Sequence, residues 1–128
     1  MRIVVDTHAL LWFLLGDERL SLRARAIIED PSLDVCVRAA SAWEIATKFR
    51  IGKLPQSSVL VLSLNERVRG CGMTPIAITF EHARTAGLLA SRHRDPFDRL
   101  IFAQALVERM AWVGNETVSA GEPVARIW

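Results

Sequence analysis

The residues of this chain that are best suited to chemistry are acidic, and they lie at the boundaries of predicted elements. They are Asp6, Glu44, Asp95, Asp98 and Glu116. Carboxylates that meet at one place repel one another and are costly to desolvate, and a hard cation such as Mg²⁺ or Mn²⁺ relieves both costs. If the fold brings these residues together, they predict a metal-dependent site that acts on phosphate esters.

The first two acids also have structural interpretations. Asp6 can cap a helix that begins near Thr7, although an acid directly after a buried strand favours a functional site in an α/β protein. Ser41 and Glu44 have the spacing of a capping box, in which the Glu44 carboxylate would accept from the Ser41 amide. From the residues alone, the capping interpretation of Glu44 is the favoured one.

The later acids allow the same two interpretations. Asp95 can cap a helix with Pro96 at its first position, and Asp98 would then lie in the first turn, where negative charge is favourable. Two acids three residues apart also share one helix face, as a ligand pair requires. We assign Asp95 to capping and Asp98 to the site. Glu116 lies in a polar turn, where acids are usually solvated, and it matters because it falls at the sheet edge that Asp6 occupies.

Basic residues cluster beside the acidic pair. They are Arg92, His93, Arg94 and Arg99. Their side chains could hold a phosphate backbone or stabilise transition-state charge, and a solvated connector explains them equally well. The sequence has no Gly-rich phosphate loop, no Ser-His-Asp order and no zinc-ligand spacing.

Hydrophobic patterning predicts the elements that would position these residues. Strands are predicted at residues 2–5, 33–37, 75–78, 111–113 and 124–127, and helices at 7–15, 21–29, 40–51, 58–69, 79–91 and 95–109. This alternation predicts an α/β fold in one domain, residues 1–128, with a mainly parallel sheet and helices on both faces. Sites in such sheets form outside the carboxyl ends of the strands.

Composition sets further limits. The chain has 128 residues, 51% of them hydrophobic, and a formal net charge of +2, which is too small to indicate nucleic-acid binding by itself. Cys36 and Cys71 form no CxxC or metal spacing, so we expect a reducing cytoplasm. We also expect no signal peptide and no membrane span, since the apolar run at residues 9–15 is far shorter than the ~20 residues that a span needs.

Four stretches together resemble the PIN-domain ribonucleases, and among them the VapC-type toxins of toxin–antitoxin pairs. The stretches are Val-Val-Asp-Thr-His-Ala-Leu-Leu-Trp, Ala-Ala-Ser-Ala-Trp-Glu-Ile-Ala-Thr-Lys, Gly-Lys-Leu and His-Arg-Asp-Pro-Phe-Asp-Arg-Leu-Ile. The resemblance covers essentially the whole chain. It implies a five-stranded parallel sheet in an α/β/α sandwich, Mg²⁺- or Mn²⁺-dependent cleavage of RNA, a homodimer, and inhibition by a partner antitoxin.

The resemblance also assigns residues. Asp6, Glu44 and Asp98 match the first three family acids, which moves Glu44 from capping to the site, and Asp95 matches the extra acid of the Asp-Pro-Phe-Asp subgroup. Glu116 falls where the family usually has Asp after a Val-Thr-x stretch, and here the Thr is replaced by Gly114.

Arg38 is a second departure from the family, because it stands where a small polar residue is common. There it could add a phosphate contact.

Two other functions compete with the metal-dependent nuclease. A PIN-like module with weak catalysis could act by binding RNA or an antitoxin. A phosphatase of the haloacid-dehalogenase type needs a second Asp two positions after Asp6, where this chain has His8. An antitoxin would lay an apolar or basic segment across the acidic cleft, near Leu11, Trp12 and Trp43.

Overall fold

The computed structural model describes residues 1–54, 58–90, 95–115 and 125–128. Within these ranges five strands form one sheet in the order β3-β2-β1-β4-β5, and every neighbouring pair is parallel. The strands are β1 (Arg2–Val5), β2 (Asp34–Arg38), β3 (Thr74–Ile76), β4 (Ala111–Val113) and β5 (Arg126–Ile127). The predicted α/β fold with a five-stranded parallel sheet is therefore confirmed.

Seven helices connect and cover the strands in the described ranges. They are α1 (Thr7–Leu15), α2 (Leu22–Glu29), α3 (Ala39–Arg50), α4 (Ser58–Leu62), α5 (Leu64–Gly70), α6 (Phe80–Leu88) and α7 (Pro96–Glu108). The single helix predicted at 58–69 is two short ones, separated at Ser63, whose hydroxyl donates to the carbonyl oxygen of Val59. No helix in the described ranges is long and apolar enough to cross a membrane.

Helices pack on both faces of the sheet, which explains why the strands read as continuous apolar runs rather than alternating ones. Successive side chains of a strand point to opposite faces. One face of the sheet packs in a cluster that includes Ile3, Val5, Leu10, Ile28 and Ile45. The other packs in a cluster that includes Val4, Cys36, Ile101, Phe102 and Trp112. With both faces buried, the exposed polar chemistry is restricted to the edges of the sheet.

The strand ends determine where the first site residues lie. Val5 is level with Val37 of β2 and with Val113 of β4, so the residues that follow these three valines meet at one edge. They are Asp6, Arg38 and Gly114.

The capping-box interpretation of Ser41 and Glu44 is wrong. Strand β2 passes directly into α3, whose N-cap residue is Arg38 and makes no side-chain capping bond. Ser41 therefore lies inside the first turn, fully buried, where its hydroxyl bonds to another helix rather than to its own amides.

Candidate functional site

A small pocket of about 70 Å³ opens at the carboxyl edge of the sheet. Its lining residues are Asp6, Thr7, His8, Arg38, Glu44, Asp95, Phe97, Asp98, Ile101 and Trp112. The structure thus brings four of the predicted acids to one pocket, from three separate parts of the chain. The fifth, Glu116, lies outside the described residues.

Asp6 is both a helix cap and a pocket residue. Its Oδ1 accepts from the amide of Ala9 at 2.7 Å, which caps α1, and its own amide donates to the carbonyl of Val113 at 3.0 Å. One bond holds its side chain and the other its backbone, and the residue is only 7% exposed. Because the capping bond uses one carboxylate oxygen, the structural and functional interpretations of Asp6 are compatible.

Glu44 is oriented by a hydroxyl relay between α1 and α3. The Thr7 hydroxyl donates to Glu44 Oε1 at 2.9 Å and lies 2.9 Å from the Ser41 hydroxyl. Since Thr7 has a single hydroxyl proton, its bond to Glu44 leaves Ser41 as the donor to Thr7. The relay holds the Glu44 carboxylate at the pocket, where it is available to the site rather than to the start of its own helix.

The start of α7 places Asp95 and Asp98 at the pocket. Asp95 Oδ1 accepts from the Phe97 amide at 2.8 Å, Pro96 occupies the first turn, and Asp98 follows within that turn. The predicted helix start is confirmed. The positive end of the helix dipole favours the ionised form of an acid at this place.

Arg38 is the unexpected member of the pocket. Its guanidinium is only 3% exposed, with Nη1 donating to the Phe97 carbonyl at 3.2 Å and Nη2 3.7 Å from Glu44 Oε1. Nε has no hydrogen-bond partner among the described residues. Burial lowers the pKa of Arg38, and the negative charges of Glu44, Asp6 and the acids of α7 oppose that effect. The sequence suggested a phosphate contact here, whereas the structure places a buried cation among the carboxylates.

Arg99 was grouped in the sequence analysis with possible RNA contacts, and its side chain donates hydrogen bonds to backbone carbonyl groups. Its Nε donates to the Ala86 carbonyl at 3.0 Å and its Nη2 to the Leu89 carbonyl at 2.7 Å. These bonds tie α7 to the end of α6 and give Arg99 a structural role. The remaining basic residues of the cluster, Arg92, His93 and Arg94, lie outside the described ranges.

An aromatic pair stands at the rim of the pocket. The rings of Trp43 and Phe97 are stacked, with 5.1 Å between centroids and 26° between planes. Trp43 is 58% exposed, while its neighbour Ile45 is fully buried. A helix turns about 100° per residue, so Ile45 can face the core only if Trp43 and Glu44 point elsewhere.

The carboxylates are chemically suited to a hard divalent cation, because oxygen donors are what Mg²⁺ and Mn²⁺ prefer. Within the described ranges, however, no three Asp, Glu, His or Cys side chains are arranged as a ready metal-binding group. The donor types therefore fit the metal, while the guanidinium of Arg38 stands among them as a competing positive charge.

Comparisons with known proteins relate the chain to one family. The family model described as PIN domain matches residues 3–117. The chain is 33% identical to Ribonuclease VapC22 of Mycobacterium tuberculosis over 108 residues, which cover 81% of this chain and 78% of that protein. It is 42% identical to Ribonuclease VapC16 of the same organism over 67 residues, which cover 52% of this chain and 46% of that protein.

A solved structure shares the fold at low sequence identity. The crystal structure of VapBC2 from Rickettsia felis, bound to a DNA fragment from their promoter, superposes with a TM-score of 0.69 at 11% identity, covering 99% of this chain and 98% of that one. At such low identity the likeness concerns the fold alone, and it extends over nearly the whole of both chains.

Proposed function

We propose that this chain, which belongs to the PIN-domain family, is a metal-dependent endoribonuclease and the toxin of a toxin–antitoxin pair. Its similarity to two VapC ribonucleases supports this proposal. The observation that carries this proposal is the pocket itself. Asp6, Glu44 and Asp98, which resemble the family acids, line one small pocket at the carboxyl edge of the sheet. We further propose that residues 1–128 form a single PIN-like domain.

Each of these acids would have a defined task. Asp6 is positioned by the Ala9 amide and Glu44 by the Thr7 hydroxyl, so both present oxygens to the pocket without further rearrangement. Asp98 would contribute from the first turn of α7, with Asp95 beside it as the cap. A divalent cation held by these oxygens would supply Lewis-acid stabilisation of the phosphodiester. Glu116 stays a predicted fourth ligand.

The substrate would be a single-stranded or looped RNA. A pocket this small can admit one phosphate, and the unpaired backbone of a loop can bend into it where a regular duplex cannot. The exposed Trp43, stacked on Phe97 beside the pocket, offers a surface on which an adjacent base could stack. Arg92 and Arg94 remain predicted contacts to the RNA backbone.

The partners follow from the same relationship. We propose a cognate antitoxin that lays an apolar or basic segment across the acidic pocket, with Trp43 and the half-buried Trp12 in reach of it. The structural neighbour is itself a VapBC complex, which supports a protein partner of this type. A homodimer and a cytoplasmic location complete the proposal.

Cleavage assays with a matched pair of variants test the proposal. Purified, antitoxin-free protein would be incubated with a panel of RNAs in Mn²⁺ or Mg²⁺, beside an EDTA control and the variants Asp6→Asn and Asp30→Asn. An Asn at position 6 can still accept from the Ala9 amide, so Asp6→Asn should fold normally and lose cleavage. Asp30 follows α2, before β2 begins, at the opposite end of the strand, and its variant should cleave like the wild type.

Two results bear on the assignment. Cleavage by Asp6→Asn at the wild-type rate would show that Asp6 is not part of the site. No cleavage of the panel by well-folded wild type fits either very narrow RNA specificity or the weakly catalytic binding module, and absence of Mn²⁺ binding by the same protein would favour the module.

A further inference from the structure

Arg38 carries a charge that this pocket must offset. A guanidinium is protonated at any pH that a protein tolerates, so Arg38 cannot reduce the cost of its burial by losing a proton. Isolated burial of such a charge is strongly unfavourable unless carboxylates stand close to it. Glu44, Asp6, Asp98 and Asp95 all stabilise the charged form of Arg38. Three of these carboxylates, Glu44, Asp6 and Asp98, are also the proposed ligands of the divalent cation.

The contacts of Arg38 are weak ones for so buried a group. Its ion pair with Glu44 is long at 3.7 Å, its bond to the Phe97 carbonyl is 3.2 Å, and Nε bonds to nothing among the described residues. A guanidinium held firmly by an acid usually forms two short, parallel hydrogen bonds to it. Arg38 has charge complementarity with the pocket but lacks the geometry that would lock it in place.

We propose, building on the proposed metal-dependent nuclease, that Arg38 is an internal cation that occupies the acidic pocket and competes with the divalent metal for Glu44. Two cations a few ångströms apart in a poorly solvated pocket repel each other strongly. Binding of the metal therefore requires the Arg38 side chain to withdraw from Glu44. The guanidinium weakens metal binding and stabilises the metal-free protein at the same time.

Isothermal titration of the full chain with MnCl₂ tests this competition directly. The proteins are the wild type, Arg38→Gln, Arg38→Lys and Arg50→Gln. Gln removes the charge and keeps an N–H donor for the Phe97 carbonyl, and Lys keeps the charge. Arg50 is exposed on the last turn of α3, so its variant removes the same charge away from the pocket.

We expect Arg38→Gln to bind Mn²⁺ at least about tenfold more tightly than the wild type. Arg38→Lys and Arg50→Gln should stay within a few-fold of it. Thermal unfolding gives a second readout that does not depend on activity. Without metal, Arg38→Gln should melt below the wild type because the carboxylates lose their counter-ion, and saturating Mn²⁺ should raise its melting temperature more than that of the wild type.

Equal or weaker Mn²⁺ binding by Arg38→Gln would overturn this inference and leave the proposed nuclease intact. An Arg38→Gln protein that is unfolded and that Mn²⁺ does not refold would overturn it too, because the two cations would then not be interchangeable. Absence of Mn²⁺ binding by all the proteins would overturn both the competition and the metal dependence of the proposed function.

Discussion

Replacing Gly114 by Ala tests how tightly the end of β4 is packed against the proposed site. A Cβ at this position would lie 2.6 Å from Cζ2 and 2.7 Å from Cε2 of Trp112, and closer still to Asp6 Oδ2. Gly114 is not among the glycines with positive φ, so space rather than backbone conformation restricts it. The added methyl group must therefore displace an indole or a carboxylate.

Displacing either neighbour should reduce the stability of the fold. Trp112 is 1% exposed and packs edge-on against Phe102 with 5.1 Å between centroids, while Asp6 is held by the Ala9 amide. Overpacking of this kind costs about 1–3 kcal/mol. For a domain of this length each kcal/mol lowers the melting temperature by about 4 °C, so we expect a decrease of about 4–12 °C. Mn²⁺ binding should weaken as well, since the Asp6 carboxylate would be shifted.

Urea and thermal unfolding measure the effect, with Gly87→Ala as the matched control. Gly87 lies inside α6, and nothing approaches its Cβ position within 4 Å. The same substitution there should stabilise the protein by about 0.5–1 kcal/mol through helix propensity. If Gly114→Ala melts at or above the wild-type temperature, the packing argument is refuted.

Three further perturbations test other parts of the site and its support. Thr7→Val should destabilise the protein by about 1–3 kcal/mol in urea unfolding, because the half-buried Glu44 carboxylate loses its hydroxyl donor, and a wild-type midpoint would contradict the relay. Trp43→Ala should weaken RNA binding by about 1–3 kcal/mol, measured by fluorescence anisotropy, at unchanged melting temperature, and unchanged affinity would exclude base stacking there. A hydrogen bond from His82, and a weaker effect of one from Arg2, hold the pKa of Glu108 below its usual range. This carboxylate therefore stabilises the fold at neutral pH, and the contribution is lost as pH falls below that usual range and through the lowered pKa. Glu108→Gln should therefore flatten the decline of the melting temperature in acid, and an unchanged pH profile would argue against it.

The centre of the sheet was predictable from the sequence because β1 and β4 are largely buried on both sides. Short apolar runs such as residues 3–5 and 111–113 indicate buried strands, and the alternation with helices indicates parallel pairing. Caps were predictable where the signal is local. Asp95 with Pro96 starts α7 as expected, and Ser21 caps α2 through the Ala24 amide.

Tertiary contacts decided what the sequence alone could not. Ser41 and Glu44 have the spacing of a capping box, but their side chains bond to Thr7 of another helix, more than thirty positions away. The burial of Arg38 likewise depends on acids supplied by three other parts of the chain. A local pattern contains no information about such partners, so the family resemblance had to correct Glu44, and only the structure showed where the Arg38 side chain lies.

Because the pocket residues are widely separated along the chain, the pocket forms late in folding. Asp6 follows β1, Glu44 belongs to α3, and Asp98 belongs to α7. Pairing between distant segments forms late in folding, because loop-closure entropy is lost before the contacts compensate for it. A growing or partly folded chain therefore has its carboxylates dispersed in water. The pocket exists only once β1, α3 and α7 have met, so the proposed nuclease activity would arise only after folding is complete, when the folded surface that the proposed antitoxin would recognise is also present.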